Sequence, residues 1–429
     1  MRAAILAGGK GTRMLNLHPD IPKPMIPLLG KPLLLYQIDL LVKQGINRIT
    51  LITGYKADTI RDYFGDGSAF GAQIDYIVEE TPLGTGGALS LLPKEDTFIL
   101  FGDVYLDVDL ARFIRFHEDK QANVTLFAHP NSHPHDSDIV ITDDTARVIA
   151  WASKKEPVRN EMRNLVNAGL YIFNREALPQ GEAVRRDLEH DVILPMLVNG
   201  KVLAYRSTEY VKDMGTPERL ESVTYDIESG MTAARRLDKK QRAIFLDRDG
   251  TLNKEGGFVT KPEQIELLPG VEESVRLLNK SPFLTICITN QPVIARGDVD
   301  FTGLEAIHAR LDTLLGLEGA YLDDLIFCPH HPDKGFSGEM PEYKLVCDCR
   351  KPEPGMLIVA AKRYNIDLSR SYMVGDSTAD IAAGKAAGCR TVGLKTGIAL
   401  TDDKYKAVPD VVCEDLLVAV KLILRESVK

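Results

Sequence analysis

Asp247-Arg-Asp-Gly-Thr251 directly follows the apolar run Ala243–Leu246, so two carboxylates two residues apart are expected at the end of a strand, projecting to the same side. A carboxylate in that position can attack phosphorus and form an aspartyl phosphate. Asp249 can then protonate the leaving oxygen and afterwards accept a proton from water. Thr289 ends a second apolar run with Asn290 beside it, Lys351 offers a cation for crowded negative charge, and Gly375-Asp376 ends a third run with a carboxylate suited to Mg²⁺. A different phosphate signature opens the chain. In Leu6-Ala-Gly-Gly-Lys-Gly-Thr-Arg13, Gly8, Gly9 and Gly11 let backbone N–H groups approach phosphate oxygens, and Arg13 adds a planar fork of donors. Lys23 sits between two prolines, within reach of a phosphate in a stiff loop. Asp103 ends the apolar run Phe98–Phe101 plus Gly102, and Asp213 is a second carboxylate; with substrate phosphates the two make an Mg²⁺ site. The turn Glu79-Glu-Thr-Pro-Leu-Gly-Thr-Gly-Gly87 offers backbone able to read a base edge, with Gly84 and Thr85 at its centre.

A third constellation is metal-binding rather than catalytic. Cys328-Pro-His-His-Pro332 and Cys347-Asp-Cys349 supply three thiolates and an imidazole, a closed tetrahedral set for structural Zn²⁺. It would pin the long segment Asp333–Leu345, which has little core of its own. Cys287, Cys389 and Cys413 read as small core residues.

These residues need strands and helices to hold them. In the first half Ala3–Leu6, Arg48–Thr53, Ile74–Val78 and Thr97–Phe101 read as strands, and Leu33–Gln44, Ala57–Phe64 and Leu110–Lys120 as helices. In the second half Ala243–Asp247, Thr285–Thr289, Leu325–Phe327, Ser371–Gly375 and Thr391–Leu394 read as strands, with Val271–Asn279 and Leu304–Leu315 among the helices. The alternation predicts α/β architecture with two doubly wound, mostly parallel sheets. The boundaries expected are 1–228 for the first domain, 229–241 for a polar, basic linker and 242–429 for the second.

Composition narrows the function classes. A chain of 429 residues exceeds what one core usually supports, and a formal charge of −9 argues against general nucleic-acid binding. No apolar run approaches the roughly 18 residues of a membrane span, and the apolar start is too short for a signal peptide. Six cysteines with a metal-type cluster predict a reducing cytoplasm. The expected partners are small anionic substrates, with no nucleic acid and no membrane; self-association is left open.

Residues 1 to about 225 resemble the sugar-phosphate nucleotidyltransferases of the nucleotide-diphospho-sugar transferase (Rossmann-like) fold. Ile21-Pro-Lys-Pro-Met25 and Pro82-Leu-Gly-Thr-Gly-Gly87 look most like the heptose 1-phosphate guanylyltransferases. The resemblance implies that the 6–13 loop (Leu6, Ala7, Gly8, Gly9, Gly11, Thr12 and Arg13) and Lys23 bind the nucleoside triphosphate. It also implies that Asp103 and Asp213 hold Mg²⁺, that Glu79, Gly84 and Thr85 lie near base and sugar, and that GTP and the α-anomer are used. Residues 242 to about 415 resemble the haloacid-dehalogenase phosphatases, and the zinc-type motif brings them close to the heptose 1,7-bisphosphate phosphatases, with histidinol-phosphate phosphatases as nearest rival. That resemblance implies Asp247 as nucleophile, Asp249 as acid and base, and Mg²⁺ on Asp247, Asp376 and the backbone carbonyl of Asp249. It also implies Zn²⁺ on Cys328, His330, Cys347 and Cys349, and substrate contacts from Asn290, Arg296 and Arg350. Pro292-Val293 stands where such phosphatases usually carry Ser-Gly. The two halves together imply removal of a distal phosphate followed by nucleotidyl transfer to a heptose 1-phosphate. The alternative is a hexose 1-phosphate nucleotidyltransferase joined to a histidinol-phosphate-type or catalytically silent phosphatase domain.

Overall fold

The computed structural model describes residues 1–9, 20–154 and 161–427; Gly11, Thr12 and Arg13 lie outside these residues. Contacts among the described residues group into two units, one of residues 1–129, 140–152 and 167–236, the other of residues 130–139, 153–166 and 237–429.

The first unit is built on a nine-stranded mixed sheet. Arg2–Leu6 lies inside it, parallel to Arg48–Thr53 on one side and to Thr97–Phe101 on the other. Gln73–Val78 continues the first side in parallel, and antiparallel Val166–Phe173 joins the second. The chain thus leaves the first strand in opposite directions, which opens a crevice at the carboxyl end of Arg2–Leu6. Ala3, Ala4 and Ile5 are fully buried, as expected of a strand covered on both faces. Leu110–Lys120 buries Leu110, Phe113 and His117 at helical spacing, and Asp109 caps it by accepting from the Ala111 N–H.

A separate two-stranded ribbon pairs Val104–Asp107 with Tyr210–Asp213 in antiparallel register, Asp213 opposite Val104. The Met214 N–H donates to the Asp103 carbonyl at 2.8 Å. This ribbon brings residues 103 and 213 together.

The second unit has a six-stranded, all-parallel sheet ordered Asp324–Cys328, Phe283–Asn290, Arg242–Leu246, Tyr372–Gly375, Arg390–Leu394, Val411–Cys413. Numbered along the unit, that order is 3-2-1-4-5-6, so the switch point falls between Arg242–Leu246 and Tyr372–Gly375. Ala243, Ile244, Phe245 and Leu246 are all fully buried. The doubly wound α/β expectation holds for both units, and the helices Ala57–Phe64, Leu110–Lys120 and Val271–Asn279 fall at their predicted ends.

Candidate active sites

In the second unit Asp247 emerges one residue past its strand, and its N–H donates to the Val374 carbonyl at 3.0 Å. Asp376 follows the neighbouring strand by one residue, so the two carboxylates meet at the switch point. Their approach requires Gly250: it has φ +77°, and a Cβ there would lie 2.2 Å from Asp376 Oδ2. Lys351 Nζ sits 2.7 Å from Asp247 Oδ1 and 2.6 Å from Asp380 Oδ1, and donates to the Ile288 carbonyl at 2.9 Å. Asp380 is itself fixed as a capping-box partner of Ser377 at the start of the helix Thr378–Ala387, so it serves to anchor Lys351.

The electrostatics of this cluster are unbalanced. Single oxygens of Asp247, Asp376 and Asp380 lie within 4.8 Å of one another, all in buried residues. Burial and then Asp380 push the Asp247 carboxyl well above its ordinary range, against the pull of Lys351. Burial and Asp380 likewise push Asp376 up to about 7. Three carboxylates beside one ammonium demand further positive charge, and hard oxygen donors suit Mg²⁺.

The remaining predicted residues surround this core. Asn290 exchanges two hydrogen bonds with the Lys351 backbone, Nδ2 to the carbonyl and N–H to Oδ1, both 3.0 Å, so it holds the lysine segment in place. Thr289 Oγ1 accepts from Gln291 Nε2 at 2.8 Å. The Arg296 guanidinium lies 4.5 Å over the Phe258 ring and 4.2 Å over Phe336, and Arg350 donates to the His330 carbonyl at 3.1 Å. Pro292 precedes the short helix Val293–Arg296; Val293 and Ile294 are buried against Leu304. Larger side chains at 292 and 293 are therefore accommodated by packing inward.

Cys328, His330, Cys347 and Cys349 converge as predicted. Sulfur–sulfur separations are 3.1 to 3.6 Å, and His330 Nδ1 lies 3.3 Å from Cys349 Sγ. His331 faces elsewhere, its Nδ1 accepting from the Asp333 N–H. Burial and neighbouring sulfurs push the Cys328 thiol up, a cost that a bound cation would reverse. The donor set fits structural Zn²⁺.

In the first unit the described part of the glycine loop lies over the sheet's carboxyl end. The Leu6 carbonyl accepts from Gly102 N–H, and Ala7 N–H donates to Ile52. A Cβ on Gly8 would lie 2.9 Å from Glu79 Oε2, whereas Gly9 faces open space. Lys23 Nζ pairs with Asp103 Oδ2 at 2.5 Å. Arg219, which sequence reasoning passed over, grips both oxygens of Asp213 at 2.6 and 2.7 Å. Burial opposes ionisation of Asp213, but Arg219, the Gly215 N–H and Lys23 hold its carboxyl below the usual range. Asp103 and Asp213 thus present carboxylates at adjacent ribbon ends, a pair of oxygen donors that suits Mg²⁺. Glu79 directly follows the Gln73–Val78 strand, and its buried Oε1 has no hydrogen-bond partner among the described residues. Gly84 (φ +74°) packs on Arg186, and Thr85 Oγ1 accepts from the Leu188 N–H at 2.8 Å, so these two fix the turn's conformation.

Comparison with known proteins also relates the two halves of the chain to two families. The nucleotidyl transferase family matches residues 2–230, and the HAD-hydrolase-like family matches residues 348–419. The mannose-1-phosphate guanylyltransferase of Mycobacterium tuberculosis is 36% identical over 266 residues, 60% of this chain and 72% of that protein. The D-glycero-beta-D-manno-heptose-1,7-bisphosphate 7-phosphatase of Escherichia coli is 40% identical over 172 residues, 40% of this chain and 88% of that protein. Among solved structures, the D,D-heptose 1,7-bisphosphate phosphatase of B. bronchiseptica, complexed with magnesium and phosphate, is 35% identical. It covers 43% of this chain and 99% of its own, with a TM-score of 0.39.

Proposed function

Because the chain belongs to the nucleotidyl transferase family through its first half and to the haloacid-dehalogenase phosphatases through its second, we propose that it performs two consecutive steps on one heptose phosphate. Residues 242–429 hydrolyse the 7-phosphate of D-glycero-D-manno-heptose 1,7-bisphosphate, and residues 1–228 transfer GMP from GTP to the resulting heptose 1-phosphate, with 229–241 joining them. The order follows from chemistry: nucleotidyl transfer needs the phosphate at C1, so only the distal one can be removed. The observation that carries the reading is the buried Asp247, Lys351, Asp376 and Asp380 cluster at a sheet switch point, in a chain whose other half is a nucleotidyltransferase.

In the phosphatase half Asp247 attacks phosphorus in line, Lys351 neutralises charge on the transferring group, and Thr289 offers its hydroxyl to a phosphate oxygen. Asp249 protonates the sugar oxygen as it leaves, then deprotonates the water that hydrolyses the aspartyl phosphate. In the nucleotidyltransferase half the glycine loop and Lys23 orient the triphosphate, and the C1 phosphate oxygen attacks the α-phosphorus with pyrophosphate leaving. Mg²⁺ on Asp247, Asp376 and the Asp249 carbonyl, and on Asp103 and Asp213, would supply charge that lets anions approach one another. Zn²⁺ on Cys328, His330, Cys347 and Cys349 would have a structural part, and its thiolate ligands would suit a reducing cytoplasm. No helix among the described residues is long and apolar enough to cross a membrane.

Glu79 supports the choice of GTP. Its buried Oε1, without a hydrogen-bond partner among the described residues, only accepts hydrogen bonds while ionised, which matches the N1–H and N2–H₂ donors of guanine and opposes the N1 acceptor of adenine. A second reading, mannose 1-phosphate as acceptor, is favoured by the name of the mycobacterial relative. A panel separates them. Heptose 1-phosphate of each anomer and mannose 1-phosphate are offered with GTP, ATP, CTP and UTP, and nucleotide sugars are read by mass spectrometry. The reading expects GDP-heptose as the dominant product, and Glu79→Gln to narrow the GTP-over-ATP preference by about tenfold, about 1.4 kcal/mol. Faster turnover of mannose 1-phosphate than of either heptose anomer would replace heptose with hexose.

A further inference from the structure

Asp249 and Asp376 are held in different ways. Asp249 is gripped by buried side chains: Arg248 Nη2 donates to Oδ2 at 2.9 Å, Asn253 Nδ2 to Oδ1 at 3.0 Å and Gln291 Nε2 to Oδ2 at 3.1 Å. Asp376 is buried too, but its carboxylate is held by backbone: the Ile398 N–H donates to Oδ2 at 2.8 Å.

That donor belongs to residues 396–402, which follow the strand Arg390–Leu394 and cross Asp376 as a strap. At one end Thr396 Oγ1 donates to the Gly250 carbonyl at 2.7 Å, which ties the strap to the turn carrying Asp247 and Asp249. At the other end the Asp402 carboxylate accepts from the Thr378 N–H at 2.9 Å and from Thr378 Oγ1 at 2.6 Å, at the first residue of the helix Thr378–Ala387. Between these ties the Leu400 N–H donates to the Asp376 carbonyl at 2.6 Å.

The strap follows this course against the preference of its own residues. Ala399 and Leu400 have φ +54° and +63°, a left-handed region that side chains other than glycine seldom adopt. Such backbone persists where the surrounding bonds over-determine it, and here those bonds end on Asp376, on its carboxylate and on its carbonyl. Gly397 has φ +55°, and a Cβ there would lie 2.0 Å from Asp376 Oδ2 and 2.7 Å from the Gly250 Cα. Gly250 approaches the same oxygen, its missing Cβ 2.2 Å from Oδ2 and 3.0 Å from Oδ1. Two glycines and one N–H therefore enclose Oδ2, and Oδ1 lies farther from both glycines.

We infer that residues 396–402 form a positioning strap that locks Asp376 Oδ2, presents Oδ1 to the divalent cation and so sets the affinity of the phosphatase half for Mg²⁺. Ile398 and Gly397 act through Asp376 and are positioning residues. A carboxylate with one oxygen already fixed does not have to be ordered when the ion binds, and outer partners that orient a ligand in this way account for about 10- to 100-fold in metal affinity. This inference rests on the reading that Asp376 holds Mg²⁺.

The test reads cation binding directly as well as turnover. Mn²⁺ is the probe, its binding followed by electron paramagnetic resonance, and for binding every protein carries Asp103→Asn, which breaks the carboxylate pair of the first half. Gly397→Ala sets a methyl group against Oδ2. Thr396→Val unties the strap from Gly250 at nearly constant volume, which covers the case that the first variant fails to fold. Both variants are expected to weaken Mn²⁺ binding by about tenfold or more. They should raise by a similar factor the Mg²⁺ concentration that gives half-maximal phosphate release from heptose 1,7-bisphosphate, with kcat at saturating Mg²⁺ within about threefold of the parent chain. A strap with only a structural part would lower the thermal midpoint and leave cation affinity alone. Unchanged Mn²⁺ affinity in the folded variants, or lost turnover that saturating Mg²⁺ does not restore, overturns the inference. Asp376→Asn run alongside locates the failure: if it too binds Mn²⁺ as the parent does, the cation site itself is misassigned, and if it alone loses binding, only the strap claim falls.

Discussion

Lys351 shows how much of the second site is a matter of single charges. Its ammonium stands against three buried carboxylates, and burial followed by Asp247 and Asp380 governs its own ionisation, which the two carboxylates keep strongly favoured. Asp247, Asp249 and Asp376 were legible because they stand at or just past the ends of apolar runs, and Lys351 as a cation that their crowded negative charge requires. Sequence reasoning passed over Arg248, Gln291, Asn253 and Arg219, because an arginine or amide beside a carboxylate looks the same in sequence whether it is solvated or buried. His308 belongs to this hidden group. Both ring nitrogens are buried without a hydrogen-bond partner among the described residues, and burial, then Arg248 and Arg163, hold its pKa well below its ordinary 6.5. Asp312, on the same helix, is paired with Arg163 at 2.7 Å. The unfolded chain takes up a proton on this imidazole near pH 6.5 that the folded chain refuses, so stability is fully present above that pH and declines below it, at up to about 1.4 kcal/mol per pH unit. His308→Phe is expected to flatten the fall in thermal midpoint between pH 7 and pH 5 relative to the parent chain; coincident slopes would show that His308 does not carry this sensitivity.

At the scale of elements, long amphipathic helices and buried parallel strands were readable because their periodicity is strong. Arg48–Thr53 and Thr97–Phe101 fall where expected, and Phe301–Leu317 extends its predicted core by three residues at one end and two at the other. The ribbon of Val104–Asp107 and Tyr210–Asp213 was not readable, since four residues are too few to show an alternating pattern. Yet that ribbon is what brings Asp103 and Asp213 to one place, a proximity that the sequence could only presuppose in pairing the two carboxylates. The segment Asp333–Leu345 is a different case. Its regular structure is limited to one short 3-10 turn, Pro341–Tyr343, and Cys328, His330, Cys347 and Cys349 bracket it. Metal binding at these four residues would contribute directly to folding. Metal analysis should find about one Zn²⁺ per chain, and Cys349→Ser should lose it and lower the thermal midpoint by on the order of several degrees. A zinc-free protein of unchanged stability would remove the structural role given to this site.

For the whole molecule, the two sheets present the same solution twice: a parallel core with a switch point, and chemistry placed at the carboxyl ends of the strands on either side. The fold class was legible because both halves repeat the strand–helix rhythm. The reaction order was not written in either half and follows only from having both, since the phosphate that one half removes cannot be the one the other half uses. Independence of the two sites is the claim that binds the account together. The most direct test supplies heptose 1,7-bisphosphate of each anomer, Mg²⁺ and GTP to the parent chain, Asp247→Asn and Asp103→Asn, and follows orthophosphate, pyrophosphate and sugar products by mass spectrometry. The parent chain is predicted to release orthophosphate and pyrophosphate in equal amounts with GDP-heptose. Asp247→Asn should stop at the bisphosphate yet still convert ready-made heptose 1-phosphate, and Asp103→Asn should accumulate heptose 1-phosphate. Removal of the phosphate from C1, or loss of both activities from either single substitution, would contradict the account.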